Sequence, residues 1–444
     1  MLISPISHSL NATVRVPGSK SLTNRALLIA ALADGTTTLT NALFSDDSRY
    51  FANALQALGF DVSLDPDRLE MKVTGMGGKI PVSSAELFIG NAGTAARFLT
   101  AFLTLGHGKY ILDGEPRMRE RPIGDLVDAL TCLGANIAAT SPLSPRERVR
   151  VREICPPIKI TASSLPGGKT QVAGNISSQF LSALLMVAPY AQKPVEIEVI
   201  TELNSKPYVD MTLSIMGDFG VEVKRDDYRS FKIPLTHYAL RNTGLDTQQP
   251  LLDQHYPIES DASAASYFFA APAICSGTVR VENISRQSVQ GDIAFLSVLE
   301  KMGCTIDEND NCIQVTGTTK LNGLDIDMRN IPDTAQTLAV VAPFASTPTR
   351  IRGIASARVK ETDRVHATCT ELARLGVKVD EYEDGMTIYP CDDFRPATIQ
   401  TYNDHRMAMA FSLIGLRVSG IKIENPNCVS KTFPNFFEVL EALQ

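Results

Sequence analysis

The chain has 444 residues, 44% of them apolar and 20% charged, an ordinary globular composition too long for one core, so two domains are expected. Its formal net charge of -7 argues against nucleic acid as a partner, because such proteins carry a basic excess. No run of about 18 apolar residues occurs, which excludes a transmembrane helix, and the eight cysteines form no CxxC pair and no metal-ligand spacing, as fits a reducing, cytoplasmic setting.

In chain order, residues 1–16 alternate apolar and polar positions. They read as a strand rather than a signal peptide. This strand has no partner of its own ahead of the first unit and is expected to pair with the C-terminal domain. Two kinds of helix then alternate to the end of the chain. The first kind opens on a polar cluster and is apolar nearly all round: NRALLIAALADG from near Ser21, ARFLTAFLTLG from Gly93, QFLSALLMVAP from Ser177, ASYFFAAPAICSG from Asp261, AQTLAVVAPFA from Asp333 and RMAMAFSLIG from Asp404. Such helices must be buried. The second kind ends in Gly and runs into a short alternating strand: LQALGFDV, LTCLGANI, MGDFGVEV, LEKMGCTI and LARLGVKV, with Gly59, Gly134, Gly220, Gly303 and Gly376 at the stop. Glycine ends helices there by adopting positive φ. A helix around residues 436–443 is a sixth copy, cut off by the end of the chain.

Runs such as VRVEN, TRIRGI and IKIEN supply strands between the helices. Two markers recurring every 75 to 85 residues or so imply six copies of one α/β unit, three to a domain. The boundary is expected in the polar, Pro-containing stretch 247–256. Residues 141–157 break the rhythm: Arg146, Arg148, Arg150 and Arg152 alternate with Glu and Val. This segment reads as a solvated hairpin edge in preference to an anion patch.

The buried helices begin with groups suited to anions. Lys20, Ser21 and Arg25 open the first, Asn91 to Thr94 with Arg97 the second, Ser177, Ser178 and Gln179 the third, Asp333 and Thr334 the fifth, and Asn403 to Arg406 the sixth. A helix N-terminus offers free N–H groups and about half a positive charge to phosphate or carboxylate. Ser, Thr, Asn and Asp are also plain N-caps, and capping accounts for each of them taken singly. It does not account for the excess of Lys and Arg in the same places. More basic residues lie in polar, turn-rich loops: Arg117, Arg119 and Arg121, then Arg358, Lys360 and Arg364, then Lys431. One such residue alone is a solvated charge; together they read as a shared anion site. GGKT at Gly167 lacks the earlier glycine of a P-loop, and GxSxG and HExxH are missing, so hydride transfer and metal hydrolysis lose support.

The motifs VPGSKSLTNRALL, GNAGTAARF, GEPRMRERPIGDL, SSQFLSALL, SKPYVDMTL, IPDTAQTLA, RVKETDR, NDHRMAMAFS and KTFP, spread in order from Pro17 to Phe433, closely resemble the 5-enolpyruvylshikimate-3-phosphate synthases. The resemblance implies an α/β fold of two domains, each of three βαβαββ-type units with buried helices, and an active site in the inter-domain cleft. Residues 1–17 with 257–444 would form one domain and 18–256 the other. The implied reaction transfers the enolpyruvyl group of phosphoenolpyruvate to the 5-hydroxyl of shikimate 3-phosphate through a tetrahedral intermediate. It needs no metal or organic cofactor, and the enzyme is a monomer acting on two small molecules.

Carried over by motif, Lys20 touches both substrates. Ser21, Arg25, Ser177, Ser178, Gln179, Ser205, Asp333, Ser356 and Lys360 hold shikimate 3-phosphate, with Tyr208 a weaker candidate. Gly93 (through its backbone), Arg121, Gln179, Arg364, Arg406 and Lys431 hold phosphoenolpyruvate. Asp333 is the base and Glu361 the proton donor, with Lys20 assisting. From residue type alone Asp333 reads equally as an N-cap, and Glu361 as the ion-pair partner of Lys360 or Arg364. Ser356 stands where the family commonly has Asn, and Phe98 where many members have Pro, next to the site of the inhibitor glyphosate. The related UDP-N-acetylglucosamine enolpyruvyl transferases carry a reactive Cys in the loop matching residues 115–121; this chain has none there.

Overall fold

The computed structural model describes residues 1–140, 154–236, 254–309 and 311–443. The Arg-rich alternation at 146–152 and residues 247–253 of the stretch read as the boundary lie outside the described residues. The chain divides into two compact units, Lys20–Ile258, and Met1–Ser19 joined with Glu259–Gln444.

One motif builds both units. In its plainest copy, strand Ser84–Phe88 leads through helix Gly93–Leu103 to strand His107–Asp113, which lies parallel to the first. Helix Gly124–Cys132 follows, and then the strands Asn136–Ala139 and Ile158–Ser163 close the sheet antiparallel. A parallel pair cannot be joined by a tight turn, so the connection must cross over. The crossover helix is the apolar one, because it lies between its own sheet and the other helices. Gly168–Val172, Val195–Val199, Ser230–Ile233 and Lys224–Asp226 repeat the pattern, as do Asp325–Asp327, Thr349–Arg352, Gly385–Ile388 and Val379–Tyr382.

The first copy in each unit borrows its leading strand from elsewhere in the chain. Asp34–Thr40 pairs in parallel with Gln254–Pro257, more than 200 residues downstream in the numbering. Gly277–Glu282 pairs in parallel with the N-terminal strand Leu10–Arg15. The last copy is reduced. Thr398–Ile399 and Lys422–Ile423 form its parallel pair, helix Phe436–Glu441 follows, and no antiparallel strand of its own stands beside that pair among the described residues. The N-terminus fills that place: Leu2 bridges Lys422 antiparallel, and Ile3 N donates to Ile421 O at 3.0 Å.

Gly93–Leu103, Ala335–Val341 and His405–Gly415 are buried along their whole length. In Lys20–Leu32, Ser178–Val187 and Ala262–Cys275 the residues that escape burial are Lys20, Ser21, Gln179 and Ser263 in the first turns, and Cys275 at a far end. Accessible side chains are thus confined almost entirely to helix N-termini. Phe98 is fully buried, with the Arg25 guanidinium 5.3 Å from its ring centroid, a cation–π contact inside one core. The five helix-ending glycines all take positive φ, from 78° at Gly220 to 110° at Gly303.

Candidate active site

In unit Lys20–Ile258, Arg25 organises the helix ends. It is 1% exposed. Its Nε donates to Thr212 Oγ1 at 2.7 Å, Nη1 to Ser21 O at 2.9 Å, and Nη2 to Ser182 Oγ at 3.3 Å and Tyr208 O at 3.2 Å. These bonds tie helix Lys20–Leu32 to helices Ser178–Val187 and Lys206–Asp218, whose first residues are Ser178 and Lys206. Burial among neutral partners draws the Arg25 pKa down to about 10, which still leaves it charged at neutral pH. Beside it, Lys20 Nζ lies 3.4 Å from Asp47.

The other predicted residues of this unit gather on the same helix ends. Ser177 caps Ser178–Val187 by accepting from Gln179 N at 3.3 Å. The Gln179 amide donates to Thr94 Oγ1 at 3.2 Å, linking the third buried helix to the second. Ser205 is the N-cap of Lys206–Asp218, held in left-handed backbone at φ 57° and nearly buried. Gly93 begins its helix directly under Arg121: a Cβ there would lie 2.8 Å from the guanidinium carbon. Arg121 is fixed by Nη1, which donates to both Asn91 O and Asn91 Oδ1 at 3.1 Å. Arg97 anchors the same turn, donating to Gly93 O at 3.2 Å and Pro122 O at 2.8 Å.

In the second unit the charges form one network. Arg364 is at its centre, 3% exposed. Its Nε donates to Asp404 Oδ2 at 2.8 Å, Nη2 to Glu361 Oε2 at 2.8 Å, and Nη1 to Asp333 Oδ1 at 3.2 Å. Burial alone would lower the Arg364 pKa, but Asp404, Glu361 and Asp333 outweigh it and raise it. The other Asp333 oxygen accepts from Arg406 Nη2 at 2.6 Å. Lys431 Nζ lies 3.9 Å from Glu361 Oε1. Arg406 Nη1 also donates to the Tyr267 hydroxyl at 3.5 Å, whose pKa burial pushes up to about 12 although Arg406 opposes the shift. Ser356 is nearly buried in the turn Ala355–Val359, and Lys360 follows that turn.

The structure separates roles that residue type left open. Thr334, not Asp333, occupies the N-cap position of Ala335–Val341, and the Asp333 carboxylate serves two arginines instead. Glu361 does pair with Arg364. Three residues read as part of a shared anion site are held in other ion pairs: Arg117 with Glu120 at 2.7 Å, Arg119 with Asp113 at 2.6 Å, and Arg358 with Asp363 and Glu381, both at 2.8 Å. A half-exposed arginine with an adjacent carboxylate is already satisfied. Asp404 was legible only as a cap. It does cap, accepting from Arg406 N at 2.9 Å, but it also holds Arg364. Asp47, Ser182 and Thr212 carried no sequence signal beyond their place on helices.

The model of the family described as EPSP synthase (3-phosphoshikimate 1-carboxyvinyltransferase) matches residues 5–440. The chain is 48% identical to a 3-phosphoshikimate 1-carboxyvinyltransferase of Trichormus variabilis over 98% of this chain and 97% of that protein. It is 50% identical to one from Serratia proteamaculans, covering 97% and 96% respectively. Among solved structures, an EPSP synthase from Acinetobacter baumannii aligns with TM-score 0.78 at 25% identity, covering 99% of this chain and 97% of that one. With nearly its whole length matched in sequence and in fold, the chain belongs to the EPSP synthase (3-phosphoshikimate 1-carboxyvinyltransferase) family.

Proposed function

We infer that this chain transfers the enolpyruvyl group of phosphoenolpyruvate to the 5-hydroxyl of shikimate 3-phosphate, releasing phosphate, and that both residue sets described above act on this one substrate pair. The observation that carries the reading is Asp333: one carboxylate shared by two arginines, one of which also holds Glu361. A base, an acid and fixed cations are what addition to an anionic enol ether requires.

As the 5-hydroxyl oxygen attacks the central carbon of phosphoenolpyruvate, its proton passes to Asp333. The methylene carbon takes a proton from Glu361, with Lys20 assisting, and a tetrahedral intermediate results. The methyl carbon then returns a proton to Glu361, the carbon–oxygen bond to phosphate breaks, and phosphate leaves with the bonding pair and takes up the proton held by Asp333. Arg121, Arg364, Arg406, Lys431, Gln179 and the Gly93 amide hold phosphoenolpyruvate. In the resting protein carboxylates neutralise Arg364 and Arg406, so the arriving anion replaces part of that pairing and frees Asp333 for the hydroxyl. Ser21, Arg25, Ser177, Ser178, Gln179, Ser205, Ser356 and Lys360 hold shikimate 3-phosphate. No metal or organic cofactor enters these steps. Eight unpaired thiols support a reducing, cytoplasmic setting. We take the enzyme to be a monomer, which sedimentation checks.

The test is phosphate release from phosphoenolpyruvate in chelator-treated buffer. Release that depends on shikimate 3-phosphate is expected. Release with UDP-N-acetylglucosamine instead would reassign the acceptor, and silence with both, from folded protein, would overturn the reading.

A further inference from the structure

The Asp333 network contains a carboxyl that no step above uses. Asp292 lies in the turn Gly291–Ala294 and is 3% exposed. Ser263 Oγ donates a short hydrogen bond to Asp292 Oδ2. The turn is locked to the start of helix Ala262–Cys275 by Gln290, whose amide donates to Ser260 O at 2.7 Å and whose carbonyl accepts from Ala262 N at 3.1 Å. Ser263 and Tyr267 are four residues apart on that helix and so share a face. Tyr267 receives Arg406, and Arg406 holds Asp333. Asp292 is therefore linked through the Ser263–Tyr267 face of that helix to the Arg406–Asp333 pair.

We propose that Asp292 is a positioning residue for the transfer reaction, setting through its charge the field in which Asp333 and Arg406 work. The proposal rests on the reading of Asp333 as base. Arg364 and Arg406, with the carboxylates they hold, belong to the same network. Burial penalises the charged form of a carboxyl. Burial, with Asp333 adding to it, pushes the Asp292 pKa up to about 7, while Arg406 and Ser263 oppose the shift. The charged and titratable groups around it are Asp333 on the turn Pro332–Thr334, Arg406 on helix His405–Gly415, Asp261 at the cap of its neighbouring helix, and Glu259, which accepts from Gln290 at 3.1 Å. His405, 3.6 Å from Asp404, is the further titratable group of the network.

A folded carboxyl with a raised pKa binds a proton that the unfolded chain has released. Its contribution to stability is full below about pH 4 and is lost as pH rises to about 7. Ionisation in the same window places a negative charge beside the arginines that must accept phosphoenolpyruvate.

The test measures stability and kcat/KM between pH 5 and pH 9 or so in Asp292→Asn. The expected stability relative to the parent improves steadily through pH 5 to 7, and this trend shrinks in the Asp333→Asn background, where the neighbouring charge is gone. The rise of KM for phosphoenolpyruvate above pH 7 or so disappears. Should Asp292→Asn fail to fold, Ser263→Ala decides: loss of the bond that favours the charged form moves the KM rise to higher pH. Unchanged pH profiles in a folded variant overturn the proposal. Full activity in Asp333→Asn alone would overturn the reading of the base and leave the stability arm standing.

Discussion

At the scale of single residues, the site works by shared groups. Asp333 gives one oxygen to Arg364 and the other to Arg406, so any anion that binds either arginine competes with it. Asp333→Asn is expected to lower kcat by about 10²- to 10⁴-fold, while KM for phosphoenolpyruvate stays level or falls because the arginines lose that competitor. Steady-state kinetics beside thermal melts check this, and equal losses in binding and turnover would make Asp333 a structural residue only. Gly93 gives a second case. Its missing Cβ leaves room for the Arg121 guanidinium. Gly93→Ala should force that side chain aside and raise KM for phosphoenolpyruvate at least about tenfold, the loss of one charge-assisted contact. KM for shikimate 3-phosphate should hardly move, and a parallel rise in both would reject the local explanation.

At the scale of elements, Arg25 shows how buried helices are held in register. Its four bonds cross three helices and use neutral acceptors, so it behaves as a polar bolt through an apolar core. Arg25→Met would leave Thr212, Ser182 and two carbonyl oxygens without that donor. We expect a loss of about 2–4 kcal/mol in the unliganded protein, read from urea denaturation. Unchanged stability without substrates would mean that Arg25 acts only on ligand. The elements themselves were legible. Apolar residues on every face announced the buried helices, and Gly59, Gly134, Gly220, Gly303 and Gly376 marked the ends of the others, because both signals are local consequences of sequence. The partners of Arg25 were not legible, because Thr212 and Ser182 are separated from it by 187 and 157 residues.

At the scale of the whole molecule, the repeat closes on itself through its ends. Ile3, 3% exposed, packs on Gly415, and Leu2 bridges Lys422 at the edge of the last copy. Ile3→Ala should cost about 2–4 kcal/mol, the ordinary penalty for emptying a buried aliphatic site. Chemical denaturation checks this, and a loss under about 1 kcal/mol would mean that the N-terminal residues contribute little to that unit.

Several things about this protein follow from its sequence alone. Six repeated units, buried helices with polar and basic starts, and motifs matching an enolpyruvyl transferase family are all written in local patterns and spacings. Tertiary structure decided which charges belong together. Arg119 and Arg121 are two residues apart in one loop, yet the first pairs with Asp113 while the second covers Gly93. Asp292 stands in a QGDI stretch with no pattern of its own, yet the fold buries it and gives it the Ser263 hydroxyl. The pairing and desolvation of a charge depend on residues far away in the chain, and so only the fold reveals them.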